Sequence, residues 1–295
     1  ATQRRAFASV SPPGEGATCD VDDAMLCVLE VAADDAITDG AVARTRARDG
    51  HLTDIAVVAD LPDDQPEAAN ITLHSHLALW RDARRLVRRG IDRYRDDMAA
   101  ALLADAQRAS GTTLQDADVQ DRFVSLIRDR IAPAAAARAA VEALVGAGHR
   151  VHTWGRHWPS TGDAHHHHGP IDPGATTRDV AERVDVAVFP LPTPAAIQEA
   201  LDALLAGVPV IWRAHREQIG VDYPRLADIA GLVYGYRTAS ELVDTVGEAY
   251  RSRNPVAGNL AALRSLVARH HTVSSRLVAL RDLLREHVGA RGHNA

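Results

Sequence analysis

Three short clusters in the sequence contain residue types that hold metal ions. His165, His166, His167 and His168 stand in a row between Gly162-Asp163 and Gly169-Pro170. Imidazole nitrogens suit soft divalent ions. However, four consecutive residues on a loop cannot all turn toward one ion, and no carboxylate spacing completes the set, so a solvated loop is expected. His74-Ser75-His76 has the H-x-H form of metal-dependent hydrolases, but no later His/Asp set sits at strand ends. Asp20-Val21-Asp22 has the D-x-D form of a metal–diphosphate site. The segment before it, SPPGEGATC, is no hydrophobic strand, so it reads as an acidic loop. No metal ligand is assigned.

Phosphate chemistry is narrowed by what the chain lacks. All 33 basic residues are arginine and none is lysine. A P-loop needs its lysine on the phosphates and Schiff-base catalysis needs a lysine amine, so both are excluded. Arginine remains a good bidentate phosphate ligand, and Arg156 and Arg213 each follow a strand-like run. The segment TPAAIQEALDALLAG has Thr193 as N-cap, Pro194 at the first helical position, Ile197, Leu201, Leu204 and Leu205 as its apolar residues, and Gly207 at its end. Its start, directly after the strand-like VDVAVFP, would offer free N–H groups and the positive helix end to an anion. Gly155 closes HRVHTWG, where a glycine permits close backbone approach. Trp158 just beyond has two open roles, stacking on a base or filling the core.

The elements that must position these residues alternate in type. DIAVVAD at 54–60, HRVHTWG at 149–155, VDVAVFP at 184–190 and VPVIWR at 208–213 are short, β-branched runs closed by turn residues, consistent with buried strands. MLCVLEV at 25–31 is another short apolar run. Between the first two long-separated strands, residues 74–131 read as helices: one carrying Leu77, Trp80, Arg84 and Val87 on one face, with RDARRLVRR as a solvated basic stripe, one ending before Ser110-Gly111, and one with Phe123, Ile127 and Ile131. AAAARAAVEALVGAG follows as a helix. Thr238 and Glu241 form a capping box for another, Asn254-Pro255 opens a further one, and a last helix carries Leu277, Leu280 and Leu284. Strand–helix alternation with buried strands predicts an α/β protein with a Rossmann-like parallel sheet covered on both faces, whose ligand sits at the carboxyl ends of the strands.

Bulk properties set outer bounds. A chain of 295 residues can bury one large core or two modest ones. Net charge of −6 gives no reason to expect nucleic acid as partner. Cys19 and Cys27 lie in no metal or redox spacing, so a reduced, cytoplasmic chain is the expectation. No apolar run reaches the roughly 18 residues of an integral membrane segment.

Four segments in order resemble the C-terminal, donor-binding domain of GT-B-fold glycosyltransferases, in particular the spore-maturation-type branch. These are RAAVEALVGAGHRVHTWGRHWP, HHGPIDPGATTRDVAERVDVAVFP, ALDALLAGVPVI and HHTVSSRLVALRDLL. DIAVVADLP is similar to the strand that opens that domain. The resemblance implies a partial, acceptor-side region at 1–53 and a donor-nucleotide-binding domain at 54–295 with a helical insertion at about 74–131. It implies a nucleotide-sugar co-substrate, no cofactor or metal, and a hydroxyl acceptor. It places Asp202, five residues before Gly207, on the ribose hydroxyls, and puts Gly155, Arg156, Trp158, Thr193, Gly207 and Arg213 around the donor. His271, Thr272 and Arg276 match the family's terminal His-Thr…Arg pattern, read as a tie of the final helix. The pattern departs in two places: Pro194 stands where the retaining branch has a second glutamate, and the diphosphate lysine is absent. Residues 1–53 are too short for a second Rossmann-like domain. The acceptor side then comes from another chain or a further segment, or the protein is a non-catalytic nucleotide-binding or scaffold module. A metal-dependent hydrolase built on the histidines is the third expectation.

Overall fold

The structure, a computed structural model, describes residues 53–159, 165–172, 175–191, 194–213, 233–252, 258–270 and scattered positions between 272 and 285. Cys19, Cys27, Asp20-Val21-Asp22, the apolar run at 25–31, Thr193, Asn254-Pro255, His271 and Arg276 lie outside the described residues.

Six strands are described: β1 (Asp54–Val58), β2 (Arg150–Trp154), β3 (His165–His167), β4 (Val186–Phe189), β5 (Val210–Trp212) and β6 (Tyr234–Gly235). They form one all-parallel sheet in the order β3-β2-β1-β4-β5-β6, the doubly wound order in which the chain reverses direction across the sheet between β1 and its neighbour on the other side. The β1 residues explain why the sheet needs two covers. Ala56 and Val58 enter one core and Ile55, Val57 and Ala59 the other, all 1% exposed or less, as the two-residue period of a strand requires.

Helices α5 (Ala175–Arg183), α6 (Pro194–Leu205) and α8 (Gly258–His270) cover the first face, through Val180, Ile197, Leu201, Leu204 and Val267. Helices α4 (Ala132–Gly146) and α7 (Ala239–Ser252) cover the second, through Ala140, Leu144, Leu242 and Val246. The capping box read from the sequence opens α7: the Glu241 N–H donates to Thr238 Oγ1 at 3.1 Å, and Glu241 Oε2 accepts the Arg237 N–H at 2.8 Å. Thr272 makes a similar reciprocal pair with Ser275, at 3.0 and 3.2 Å.

Between β1 and β2 lie α1 (His74–Gly90), α2 (Ala99–Ser110) and α3 (Ala117–Leu126), the last joined to α4 by a π-helical turn, Ile127–Ile131. They bury a third core around Leu79, Trp80, Leu103, Phe123 and Ile127, as the helical insertion expected there would. Helix α4 is shared: Ala132 and Ala136 belong to the insertion's core, Ala137 and Ala140 to the sheet's. Alanine on both flanks lets one helix be approached closely from two sides.

One expectation is corrected. His165–His167 is an edge strand paired to β2, Val151↔His165 through Thr153↔His167, rather than a solvated loop, and His165 is buried at 7% exposure. Backbone pairing to β2 imposes the strand, and the row of imidazoles gives no hydrophobic alternation that would announce it. No described helix is long and apolar enough to cross a membrane.

Candidate functional site

In a parallel sheet of this order, the crevice for a ligand opens beyond the carboxyl ends of the two strands at the reversal, here β1 and β4. The described residues just past β2, β1, β4 and β5 therefore border the candidate site.

The loop after β2 is folded tightly. Gly155 has φ +126 and His157 φ +61, two positive values within three residues. That turn returns the chain over β1. The Trp158 Nε1–H donates to the carbonyls of Ala59 at 2.9 Å and Trp154 at 3.2 Å, and the Leu61 N–H donates to the Arg156 carbonyl at 3.1 Å. Trp158 is buried in the second core. Of the two roles left open for it, its geometry is that of a core tryptophan closing the strand ends. Gly155 likewise has its close approach within the protein: a Cβ placed on it would lie 1.8 Å from the Ala59 carbonyl oxygen.

Arg156 stays exposed on this turn and pairs with Asp60, the residue just past β1's end: Nη2 to Oδ2 at 3.0 Å and backbone N–H to Oδ1 at 2.9 Å. Arg213 follows β5, half-buried, its backbone N–H donating to the Phe189 carbonyl at 3.2 Å and its Nη2 3.5 Å from the Ile91 carbonyl. Arg156 and Arg213 thus follow the two strands that flank β1 and β4. With about 4.8 Å per strand spacing, β2 and β5 are about 14 Å apart. Trp212 Nε1, Tyr236 Oη and Tyr94 Oη are buried polar atoms without a hydrogen-bond partner among the described residues, and burial pushes the Tyr236 phenol's pKa well up.

Helix α6 begins on the same edge. Glu199, its sixth residue, and Asp202, its ninth, are each 2% exposed. Both Asp202 oxygens lie 3.3 Å from the Gln198 amide nitrogen. Glu199 Oε2 accepts from the hydroxyl of Thr177, in the first turn of α5, at 2.8 Å, while Glu199 Oε1 has no hydrogen-bond partner among the described residues. Burial raises the Glu199 pKa to about 7, the Thr177 bond opposes the rise, and the neighbouring Asp202 and Asp172 charges add to it. This carboxyl beneath the carboxyl edge was not singled out from the sequence. The available signal is that α6, with the sequence PAAIQEALDALL, is apolar nearly all round and so must be packed on several sides.

Gly207 is elsewhere. With φ +83 it ends α6, its N–H donating to Leu204 O at 3.0 Å while Val208 N–H reaches Ala203 O at 2.9 Å. It lies about 20 Å along the helix axis from Pro194, at the amino edge of the sheet. This corrects its placement around the donor: it terminates a helix, and a ligand over the carboxyl edge does not reach it.

The histidines form two groups on the edge strands. On one face His152 Nδ1 and His168 Nε2 are 2.9 Å apart, His152 stacks with His166, and His168 stacks on Trp154 with ring centroids 4.4 Å apart. On the other, Thr153 Oγ1 lies 2.8 Å from His165 Nε2 and 3.2 Å from His167 Nδ1. Burial holds the pKa values of His152, His165 and His168 below the usual imidazole value, and neighbouring imidazoles add to the effect. Among the described residues no group of three or more His, Cys, Asp or Glu is set to hold a metal ion. His74 and His76 sit in the first turn of α1, where His76 packs edge-on against Phe123.

These features define an α/β protein with a doubly wound, all-parallel sheet and a helical insertion between its first two strands. No protein family matches the sequence, and neither curated proteins nor solved structures provide a match.

Proposed function

We propose that this chain binds the diphosphate of a nucleotide sugar over the carboxyl ends of β1 and β4 and serves as the donor half of a glycosyltransferase of GT-B type. The observation that carries the reading is the position of Arg156 and Arg213, one past each strand flanking that crevice. Guanidinium forks on either side of a diphosphate neutralise the charge that grows on it as the anomeric bond breaks, which is electrostatic stabilisation of the leaving group. The start of α6 adds the positive end of a helix on the same edge. The sugar passes to a hydroxyl acceptor held by another chain or segment. Asp202, the ribose ligand the resemblance implies, is 2% exposed and bonded to Gln198, so the reading rests on the two arginines and the helix start and not on it.

A thermal-shift panel of nucleoside diphosphates tests the proposal. A ligand at 100 times its Kd adds about 2.7 kcal/mol, roughly 5 °C for a chain of this length. Arg156 is exposed, so Arg156→Ala leaves the fold intact and weakens binding about 10- to 100-fold, the loss of a charge-assisted bond. A panel in which no nucleoside diphosphate moves the melting temperature, or an alanine variant that responds like the parent, rejects the reading.

A further inference from the structure

A second concentration of positive charge lies between two helices. Helices α1 and α4 enclose an open groove of about 670 Å³, lined by the arginines Arg81, Arg84, Arg85, Arg88, Arg89 and Arg138. The only acids lining it are Asp64 and Glu142, so six positive charges face two negative ones. Ile131, Ala135 and Ala139 form an apolar lining on the α4 side.

The ion pairs divide the arginines into two sets. Asp64, 4% exposed in its side chain, receives Arg84 at 2.9 Å and both terminal nitrogens of Arg138, at 2.7 and 3.0 Å. Burial alone raises the Asp64 pKa, but the Arg138 and Arg84 guanidiniums outweigh it and hold the carboxyl below its usual value. Asp64 therefore fixes two guanidiniums at one end of the groove. Arg88 pairs with Glu142 at 2.7 Å and Arg85 with Asp82 at 2.7 Å. Arg81 and Arg89 have no ion pair among the described residues and are exposed.

Such a stripe is unfavourable without a counter-charge. Arg81–Arg85, Arg84–Arg88 and Arg85–Arg89 are like-charge pairs four apart on one helix, each destabilising it slightly. Complementing the helix's negative end accounts for Arg88 and Arg89 in the last turn, and the buried Asp64 accounts for Arg84 and Arg138, but neither accounts for Arg81. We infer that the groove is a binding site for a compact polyphosphorylated small molecule, one carrying at least three phosphoryl groups. The volume is that of a small-molecule pocket. The guanidiniums between Arg81 and Arg89 extend about 12 Å along α1, the scale of a short phosphoryl chain or a polyphosphorylated ring. Guanidinium forks match phosphoryl oxygens bidentately.

The probe is inorganic triphosphate, titrated calorimetrically into the full chain at about 50 mM salt, with a nucleoside triphosphate and inositol hexakisphosphate as parallel arms. One triphosphate is expected at this groove, with an affinity that falls as salt is raised. The double variant Arg81→Ala/Arg89→Ala, which breaks no ion pair, should bind at least 10-fold more weakly at an unchanged melting temperature, while Arg251→Ala, at an exposed arginine of α7, should bind triphosphate as the parent does. Equal affinity for the inorganic and nucleoside forms assigns recognition to the phosphoryl chain, and tighter binding of the hexakisphosphate assigns it to a ring. Absence of triphosphate binding, an unaffected double variant, or an equal loss of binding in Arg251→Ala would each overturn the inference.

Discussion

Gly155→Ala is expected to destabilise the protein by more than about 4 kcal/mol, enough to lower its melting temperature by roughly 8 °C or to prevent recovery of folded chain. Two costs coincide at this position. The backbone has φ +126, where an L side chain is strained, and the new Cβ would lie 1.8 Å from Ala59 O and 2.4 Å from Ala59 C. Those atoms are a backbone carbonyl just past the end of the central strand, whose oxygen accepts the Trp158 indole N–H. Relief would require β1 and β2 to separate where Leu61 bonds back to Arg156. Gly148 provides the comparison: it also has positive φ, +87, but nothing lies within 4 Å of the site of its Cβ. Gly148→Ala should cost only the backbone strain, about 1–2 kcal/mol. Urea denaturation of the two variants side by side separates the terms, and equal losses would show that the Ala59 contact contributes nothing.

The same glycine shows where sequence reading succeeds and where it stops. Gly155 is legible as a point of close backbone approach, but what approaches is Ala59, nearly a hundred residues earlier, and nothing local in HRVHTWG names that neighbour. The four central strands are legible because each is a short run with β-branched residues and a turn residue after it; β1, β4 and β5 are buried throughout, while β2 leaves Arg150 exposed and His152 half-buried. The helical insertion is legible from its period. The third strand is not, because three histidines give no contrast between faces, and its conformation comes from hydrogen bonds to β2. The basic stripe of α1 is correctly placed on a helix, and Arg81, Arg85, Arg88 and Arg89 are exposed as expected, with Arg84 half-buried against Asp64. Its partners, Asp64 and Arg138, flank α1 at long range, and only the fold brings them to one groove. Thr193 and the terminal His271 and Arg276 lie outside the described residues. The donor assignment remains a proposal resting on Arg156, Arg213 and the start of α6.

Glu199→Gln is expected to reverse a pH-dependent cost that the folded chain bears near neutrality. The Glu199 carboxyl has its pKa raised from an ordinary 4.5 to about 7. Below about pH 4.5 both folded and unfolded chains hold the proton, and folding pays nothing for this group. From there to pH 7 the unfolded chain ionises while the folded one does not, so stability falls by about 1.4 kcal/mol per pH unit. Above pH 7 both forms are ionised and the cost levels at about 3 kcal/mol. Glutamine keeps an oxygen to accept the Thr177 hydroxyl but cannot ionise. Its amide nitrogen would stand in place of the unpartnered Oε1, an unfavourable contribution of about 1–2 kcal/mol that is the same at every pH. The measured difference between variant and parent should therefore move by about 3 kcal/mol in the variant's favour between pH 4.5 and pH 8, with the variant the more stable chain at the upper end. Denaturant titrations at those two pH values decide it. A constant offset between the two proteins would mean that Glu199 is ionised at ordinary pH in the fold. A buried carboxyl with its pKa raised to about 7, in the second turn of α6 and bonded to the first turn of α5, is the kind of poised group that functional sites retain. A diphosphate bound above it would raise its pKa further and draw a proton from solution near pH 7.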